Sequence, residues 1–96
     1  MKIPEEKYVV IGGQYQSYDY GIYDSLLAAK RAATAHAEYW DNWQGWHTPC
    51  VYRLEDCRKV NNFYGSVYDP VAPCEYWAKK DGKWHHYDAY GYEIDA

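Results

Sequence analysis

Aliphatic side chains are scarce in this 96-residue sequence, which has only three leucines, four isoleucines and six valines. Aromatic residues outnumber them, because thirteen tyrosines, five tryptophans and one phenylalanine make up 20% of the chain. Disordered chains are poor in such rings, so the composition indicates a folded protein. A chain of this length can bury about 65% of its unfolded surface, which is enough for one modest core. We therefore expect residues 1–96 to form a single compact domain.

Long apolar runs and an excess of positive charge are also missing. No stretch approaches the length of a membrane span, and the first residues lack the apolar segment of a secretory signal. Ten basic against fourteen acidic residues give a net charge of −4, and the basic residues occur in scattered pairs. This charge balance disfavours binding to the phosphate backbone of a nucleic acid. We expect a cytoplasmic protein without a membrane segment and without direct nucleic-acid contact.

Motifs for metal binding and catalysis are absent as well. There is no CxxC pair, no phosphate loop, no Gly-x-Ser-x-Gly elbow and no His-Glu-x-x-His helix. Three cysteines cannot all pair within one chain, which favours free thiols in a reducing compartment. We expect no metal, no cofactor and no catalytic residue. A small enzyme with Cys50, Cys57 or Cys74 as its nucleophile stays open as an alternative.

One helix is the clearest element that the sequence predicts. Residues 26–41 contain six alanines and two leucines and no helix breaker, and Asp24 or Ser25 can cap the first turn. An apolar stripe recurs at helical spacing through Leu26, Ala29, Ala33, His36 or Ala37, and Trp40. Because the middle of the stripe is alanine, we expect the helix to approach a sheet closely.

Strands account for most of the remaining pattern. Short β-branched and aromatic runs predict strands over residues 7–11 and 50–54, and Asp81-Gly82 predicts a hairpin between residues 75–80 and 83–88. Residues 14–23 are predicted to continue the first strand and to become a loop at 19–21. Residues 55–60 are predicted as one helical turn or an edge, and 61–73 as mostly loop. The expected fold is α+β, with one helix on a small, mainly antiparallel sheet.

The tyrosine excess supplies the candidate binding surface. Tyr8, Trp40, Tyr52, Trp77 and Trp84 are expected to replace leucine in the core. Since each buried hydroxyl needs a partner, thirteen tyrosines cannot all lie inside. The candidate partner-binding residues are two clusters of tyrosine and acid and one tryptophan-rich turn: Tyr15, Tyr18, Asp19, Tyr20, Tyr23 and Asp24; Tyr87, Asp88, Tyr90, Tyr92 and Glu93; Trp43 and Trp46.

A surface of tyrosines and carboxylates is suited to a basic protein partner, such as a surface that normally holds nucleic acid. Exposed rings also stack on sugars, so a small-ligand or carbohydrate-binding module is a second alternative. The sequence leaves the oligomeric state open.

In its small size, its acidic charge and three of its stretches, the chain resembles small proteins of phages and prophages. The three stretches are Tyr39–Trp46, Tyr52–Cys57 and Asn62–Gly65. Among these phage proteins, the chain is similar in size and charge to anti-CRISPR and other anti-defence proteins. The resemblance implies a stoichiometric inhibitor that occupies the nucleic-acid or partner surface of a host complex. It assigns no functional residue.

Overall fold

The computed structural model of the protein describes residues 6–13, 18–40, 47–71, 73–80 and 82–94. Within these ranges it has one helix, seven strands and a short 3-10 turn at Leu54–Asp56. The helix is α1 (Leu26–Trp40), and the strands are β1 (Tyr8–Gly13), β2 (Tyr18–Tyr23), β3 (His47–Arg53), β4 (Cys57–Asn62), β5 (Gly65–Pro70), β6 (Tyr76–Lys80) and β7 (Lys83–Tyr87). The expected α+β class, with one helix and a mainly antiparallel sheet, is confirmed.

Five of the strands form one antiparallel sheet in the order β2-β1-β3-β6-β7, and β4 and β5 form a separate two-stranded sheet. The register pairs Tyr8 with both Tyr23 and Arg53, and it pairs Tyr76 with Tyr87. One end of the sheet is therefore the end at which β1 and β6 begin and β2, β3 and β7 finish. No helix among the described residues has the length and apolar character needed to cross a membrane.

Strand β1 is buried on both faces, because Val9, Val10 and Ile11 are 0%, 0% and 6% exposed. Val10 packs with Val51 and Trp77 from neighbouring strands and with Ala29 and Ala33 of α1. Two fully buried alanines on the helix let its backbone lie close to the sheet, as the alanine stripe predicts. Leu26 also packs against this cluster, while the side chain of Trp40 lies outside the description.

The opposite face of β1 is covered as well. Side chains alternate along a strand, so Val9 and Ile11 point away from the helix. Strand β5 contacts β1 and β2, and its Val67 is buried. The Tyr68 backbone N–H donates to Asp19 Oδ2 at 2.6 Å, which ties β5 to β2. The sheet is thus enclosed by α1 on one side and by the β4-β5 hairpin against β1 and β2 on the other.

Two predictions about loops are wrong. Residues 19–21, predicted as a loop, belong to the edge strand β2. Gly21 suggested a turn in the sequence, but its φ of +125° is accommodated at a register shift, where β2 bulges against β1. Residues 65–70, predicted as loop, form β5, which pairs with β4 in a hairpin. Residues 55–60, predicted as one helical turn or an edge, contain the end of the 3-10 turn and the first part of β4. The hairpin connection, Phe63-Tyr64, is followed by Gly65 at φ +99° and lacks the usual turn dipeptide.

The two strongest local signals are confirmed. Ser25 caps the helix, since its Oγ accepts a hydrogen bond from the Ala28 N–H at 3.1 Å. The Asp-Gly hairpin joins β6 to β7 with Lys80 paired to Lys83, and Gly82 adopts φ +77°.

The close approach of α1 to the sheet gives a stability test. Ala33→Leu places a branched side chain where the alanine is already buried, so we expect unfolding to become easier by about 1–3 kcal/mol. Ala35→Leu is the matched control, because Ala35 is exposed on the same helix and should change stability by less than about 0.5 kcal/mol. Urea unfolding followed by circular dichroism measures both. Equal stabilities of the two variants would contradict the packing described.

Candidate functional site

The structure separates the two predicted tyrosine clusters. The first cluster lies on or just after β2 and the second at the end of β7, and these are the two edge strands of the five-stranded sheet. Four strand spacings separate the two edges, which is roughly 19 Å. Tyr15, Trp43 and Trp46 lie outside the described residues. The side chains of the two clusters also differ in what they contact.

Side chains of the first cluster are largely engaged in the fold. The Tyr20 ring stacks on His36 at 4.3 Å, and burial raises the pKa of the Tyr20 hydroxyl to about 12. The Tyr18 ring makes edge contacts with Tyr20 and, at 5.3 Å, with Tyr64 of the β4-β5 turn. These rings join β2 to the helix and the hairpin and leave little aromatic surface for a partner.

Polar groups of the first cluster are engaged too. Asp19 accepts the Tyr68 N–H, and the Tyr23 hydroxyl donates to the Tyr20 carbonyl at 3.2 Å. Asp24 forms an exposed ion pair with Lys7 at 2.6 Å. Of this cluster, Asp24 alone combines a charge with an exposed position at the end of the sheet where β2 finishes.

Tyr87 of the second cluster was predicted as a partner-binding residue, and this prediction is wrong. Its side chain is buried, at 7% exposure, and cannot serve as a surface anchor. Its ring stacks on Tyr76 at 5.1 Å, and Lys80 Nζ lies 4.9 Å from the ring centroid. Tyr76 in turn contacts Tyr52 at 5.9 Å, so a row of three rings crosses β3, β6 and β7. Tyr87 is a core residue because it completes this row.

The residues after β7 form an ordered turn around the Asp88 carboxylate. Asp88 Oδ1 accepts the backbone N–H groups of Tyr90 and Tyr92 at 2.9 and 3.0 Å, and the Asp88 N–H donates to the Tyr92 carbonyl at 2.8 Å. Glu93 then pairs with Tyr87 and returns the chain to the edge of β7. We call residues 88–93 the C-terminal turn.

The C-terminal turn holds two tyrosines out toward solvent, with Tyr90 81% and Tyr92 73% exposed. Glu93 stays close to β7 through a contact with His85, in which Oε1 lies 3.0 Å from Nδ1. The turn thus displays two large rings on a backbone that three hydrogen bonds keep in one shape.

The sheet register places carboxylates along the whole end of the sheet that carries this turn. Seven acidic residues precede β1 or β6 or follow β2, β3 or β7, and so lie at the same end of the molecule: Glu6, Asp24, Glu55, Asp56, Glu75, Asp88 and Glu93. We call this region the acidic end. The positive charges described there are Lys7, paired with Asp24, and Arg53, which forms ion pairs with Glu75 and, at 3.6 Å, with Glu6. The carboxylates outnumber the cations.

Sequence reasoning missed several of these acids. Glu6, Glu55 and Glu75 are far from one another in the sequence, and only the strand order brings them to the end of the sheet that carries the C-terminal turn. Phe63, at the tip of the β4-β5 hairpin, was also missed, although it is 84% exposed. Predicting a turn at residues 63–64, within the stretch expected to be mostly loop, would have placed Phe63 at an exposed hairpin tip.

The cysteines lack the features of an activated nucleophile. Burial raises the pKa of the Cys57 thiol to about 12, and it raises the pKa values of Cys50 and Cys74 above their usual range. A reactive cysteine needs a lowered pKa. Within the described part of the chain, no three His, Cys, Asp or Glu side chains gather into a metal site.

Comparisons with known proteins return no match, whether to a family model, to a curated protein or to a solved structure. The geometry of the acidic end and the exposed rings therefore carries the functional argument.

The raised thiol pKa values predict slow alkylation. At pH 8 Cys57 of the folded protein should react with iodoacetamide at least about tenfold more slowly than free cysteine, since each unit of raised pKa removes about nine-tenths of the thiolate. Cys50 and Cys74, whose pKa values are also raised, should react more slowly than free cysteine as well. Raising the pH toward 12 should increase the rate, because the thiols then ionise. Mass spectrometry of quenched samples measures the rate, and the urea-unfolded protein is the control. One thiol that reacts as fast as free cysteine at pH 8 would support the cysteine-enzyme alternative.

Proposed function

We propose that the protein is a non-catalytic binding protein whose contact surface is the acidic end, with Tyr90 and Tyr92 as its anchors. The observation that carries the proposal is the exposure of both rings on a turn held by Asp88. Tyrosine is enriched among the residues that dominate interface energy, and a backbone already ordered loses less entropy on binding.

Charge identifies the class of partner. The carboxylates around the turn exceed the cations, so their combined field attracts a positively charged surface and repels an acidic one. A partner rich in lysine and arginine would supply cation–π contacts to the two rings as well as ion pairs. We therefore infer a protein partner with a basic surface.

The resemblance to anti-defence proteins of phages makes the proposal more specific. Basic protein surfaces commonly hold nucleic acid, and an acidic protein that covers one competes with that nucleic acid. The specific function that we propose is inhibition of a nucleic-acid-binding defence complex in the cytoplasm of a bacterial host. The C-terminal turn would occupy part of the surface that binds the nucleic acid.

The test compares capture of bacterial proteins by three forms of the chain: the unaltered protein, a Tyr90→Ala/Tyr92→Ala variant and Phe63→Ala. We expect one or more proteins to be retained at micromolar concentration by the unaltered chain and by Phe63→Ala. The double variant should bind at least about tenfold more weakly. Phe63 is the matched control because it is an equally exposed ring on a different part of the molecule.

Two further readouts sharpen this test. The captured complex should dissociate when the salt is raised to about 0.5 M, because added ions screen exposed charges. Nucleic acid added to the complex should displace the chain if both use one basic surface. Failure to retain any protein, or equal retention by the double variant, would contradict the proposal.

A further inference from the structure

A groove separate from the acidic end lies between α1 and the edge strand β7. It encloses about 240 Å³ and is lined by Leu27, Lys30, Arg31 and Thr34 of the helix and by Trp84 of β7. The four helix residues follow one another at intervals of three, one and three, so they share one side of the helix. The groove therefore has a helix wall and an aromatic wall.

The aromatic wall is held in place but not fully covered. Trp84 is partly buried against the core cluster of Val10, Val51 and Trp77, and it also lines the groove. Lys30 Nζ lies 5.9 Å from the centroid of the indole ring. Leu27 adds exposed apolar surface beside it. A flat ring would find a stacking surface on Trp84 whose position the core already fixes.

The rim of the groove is positively charged, although the protein as a whole carries a net charge of −4. Lys30 and Arg31 line it, and Lys79 reaches it with Nζ 3.5 Å from Thr34 Oγ1. The ion pairs found among the described residues involve none of these three cations. The Thr34 hydroxyl donates to the Lys30 carbonyl at 3.0 Å, so its part is to hold Lys79 at the rim. The rim thus combines three positive charges, which suits an anion with more than one negative charge.

We propose that this groove binds a nucleotide, with the base stacked on Trp84 and the phosphate held by Arg31 and the two lysines. A phosphate monoester carries nearly two negative charges at neutral pH, and the planar guanidinium of arginine can bind it through two hydrogen bonds. Stacking on an aromatic side chain is available to every base. The volume of about 240 Å³ is below the roughly 300–1,000 Å³ of sites for larger ligands, so we assign the groove to a single nucleotide.

The test is a titration of the 15N-labelled protein followed by NMR, with adenosine 5′-monophosphate as the probe. We expect shifts of the Trp84 indole N–H and of the amides of residues 27–34. Adenosine, which lacks the phosphate, and inorganic phosphate, which lacks the base, should each bind at least about tenfold more weakly. A 5′-phosphorylated tetranucleotide distinguishes a free nucleotide from the end of a strand, and tighter binding of the tetranucleotide would assign the site to a strand end.

Variants separate the two contacts. Arg31→Gln should weaken binding of the monophosphate at least about fivefold and leave adenosine binding unchanged, because it removes a phosphate contact only. Trp84→Phe should weaken binding of both, since a smaller ring stacks less. Arg58→Gln is the control, because it removes the same charge from an exposed position on β4, outside the groove. It should bind like the unaltered protein.

Three results would overturn the proposal. The first is an absence of shifts in the groove at millimolar monophosphate, and the second is equal affinity for monophosphate and inorganic phosphate. The third is stronger binding of a short acidic peptide than of the monophosphate, which would assign the groove to a protein segment. Since Arg31 is exposed, its variant should fold, and the groove can be tested even if substitution of Trp84 destabilises the chain.

Discussion

Burial of β1 on both faces is the constraint on which the rest of the structure depends. Val10 requires a cover on one side and Val9 and Ile11 on the other, and neither face can be left to water without a large loss of hydrophobic stabilisation. The alanine-rich helix meets the first requirement, and β5 contributes to the second. β1 is an interior strand flanked by β2 and β3, and the register of these strands decides which loops meet at each end.

Aromatic rings take over the role that leucine plays in most cores. Trp77 packs on Val10 and Val51 and stacks on His86, and the row of Tyr52, Tyr76 and Tyr87 crosses three strands. These rings fill volume on both faces of the sheet. The abundance of tyrosine therefore has two origins, because some tyrosines are structural while Tyr90 and Tyr92 remain free of the core.

Local signals in the sequence were enough to predict the helix, its cap and the Asp-Gly hairpin, because each depends on residues close together in the chain. The β4-β5 hairpin and β2 were not predicted, since Gly21 and Gly65 mark a bulge and a turn within paired strands. The acidic end was beyond sequence reasoning for a different reason. Glu6 and Glu75 are far apart in the chain, and the strand order brings both of them to Arg53. In the same way, pairing of β6 with β7 places Tyr76 against the buried Tyr87.

The strand order thus connects the fold to the proposed binding surface, and a basic probe can locate that surface without knowledge of the natural partner. Octalysine titrated into the 15N-labelled protein at low salt should shift the amides of residues 88–93 and those beside Asp24 and Glu75, and the shifts should decline as salt screens the charges. Shifts centred on the β4-β5 hairpin tip, or spread evenly over the molecule, would contradict the assignment of the acidic end as the contact surface.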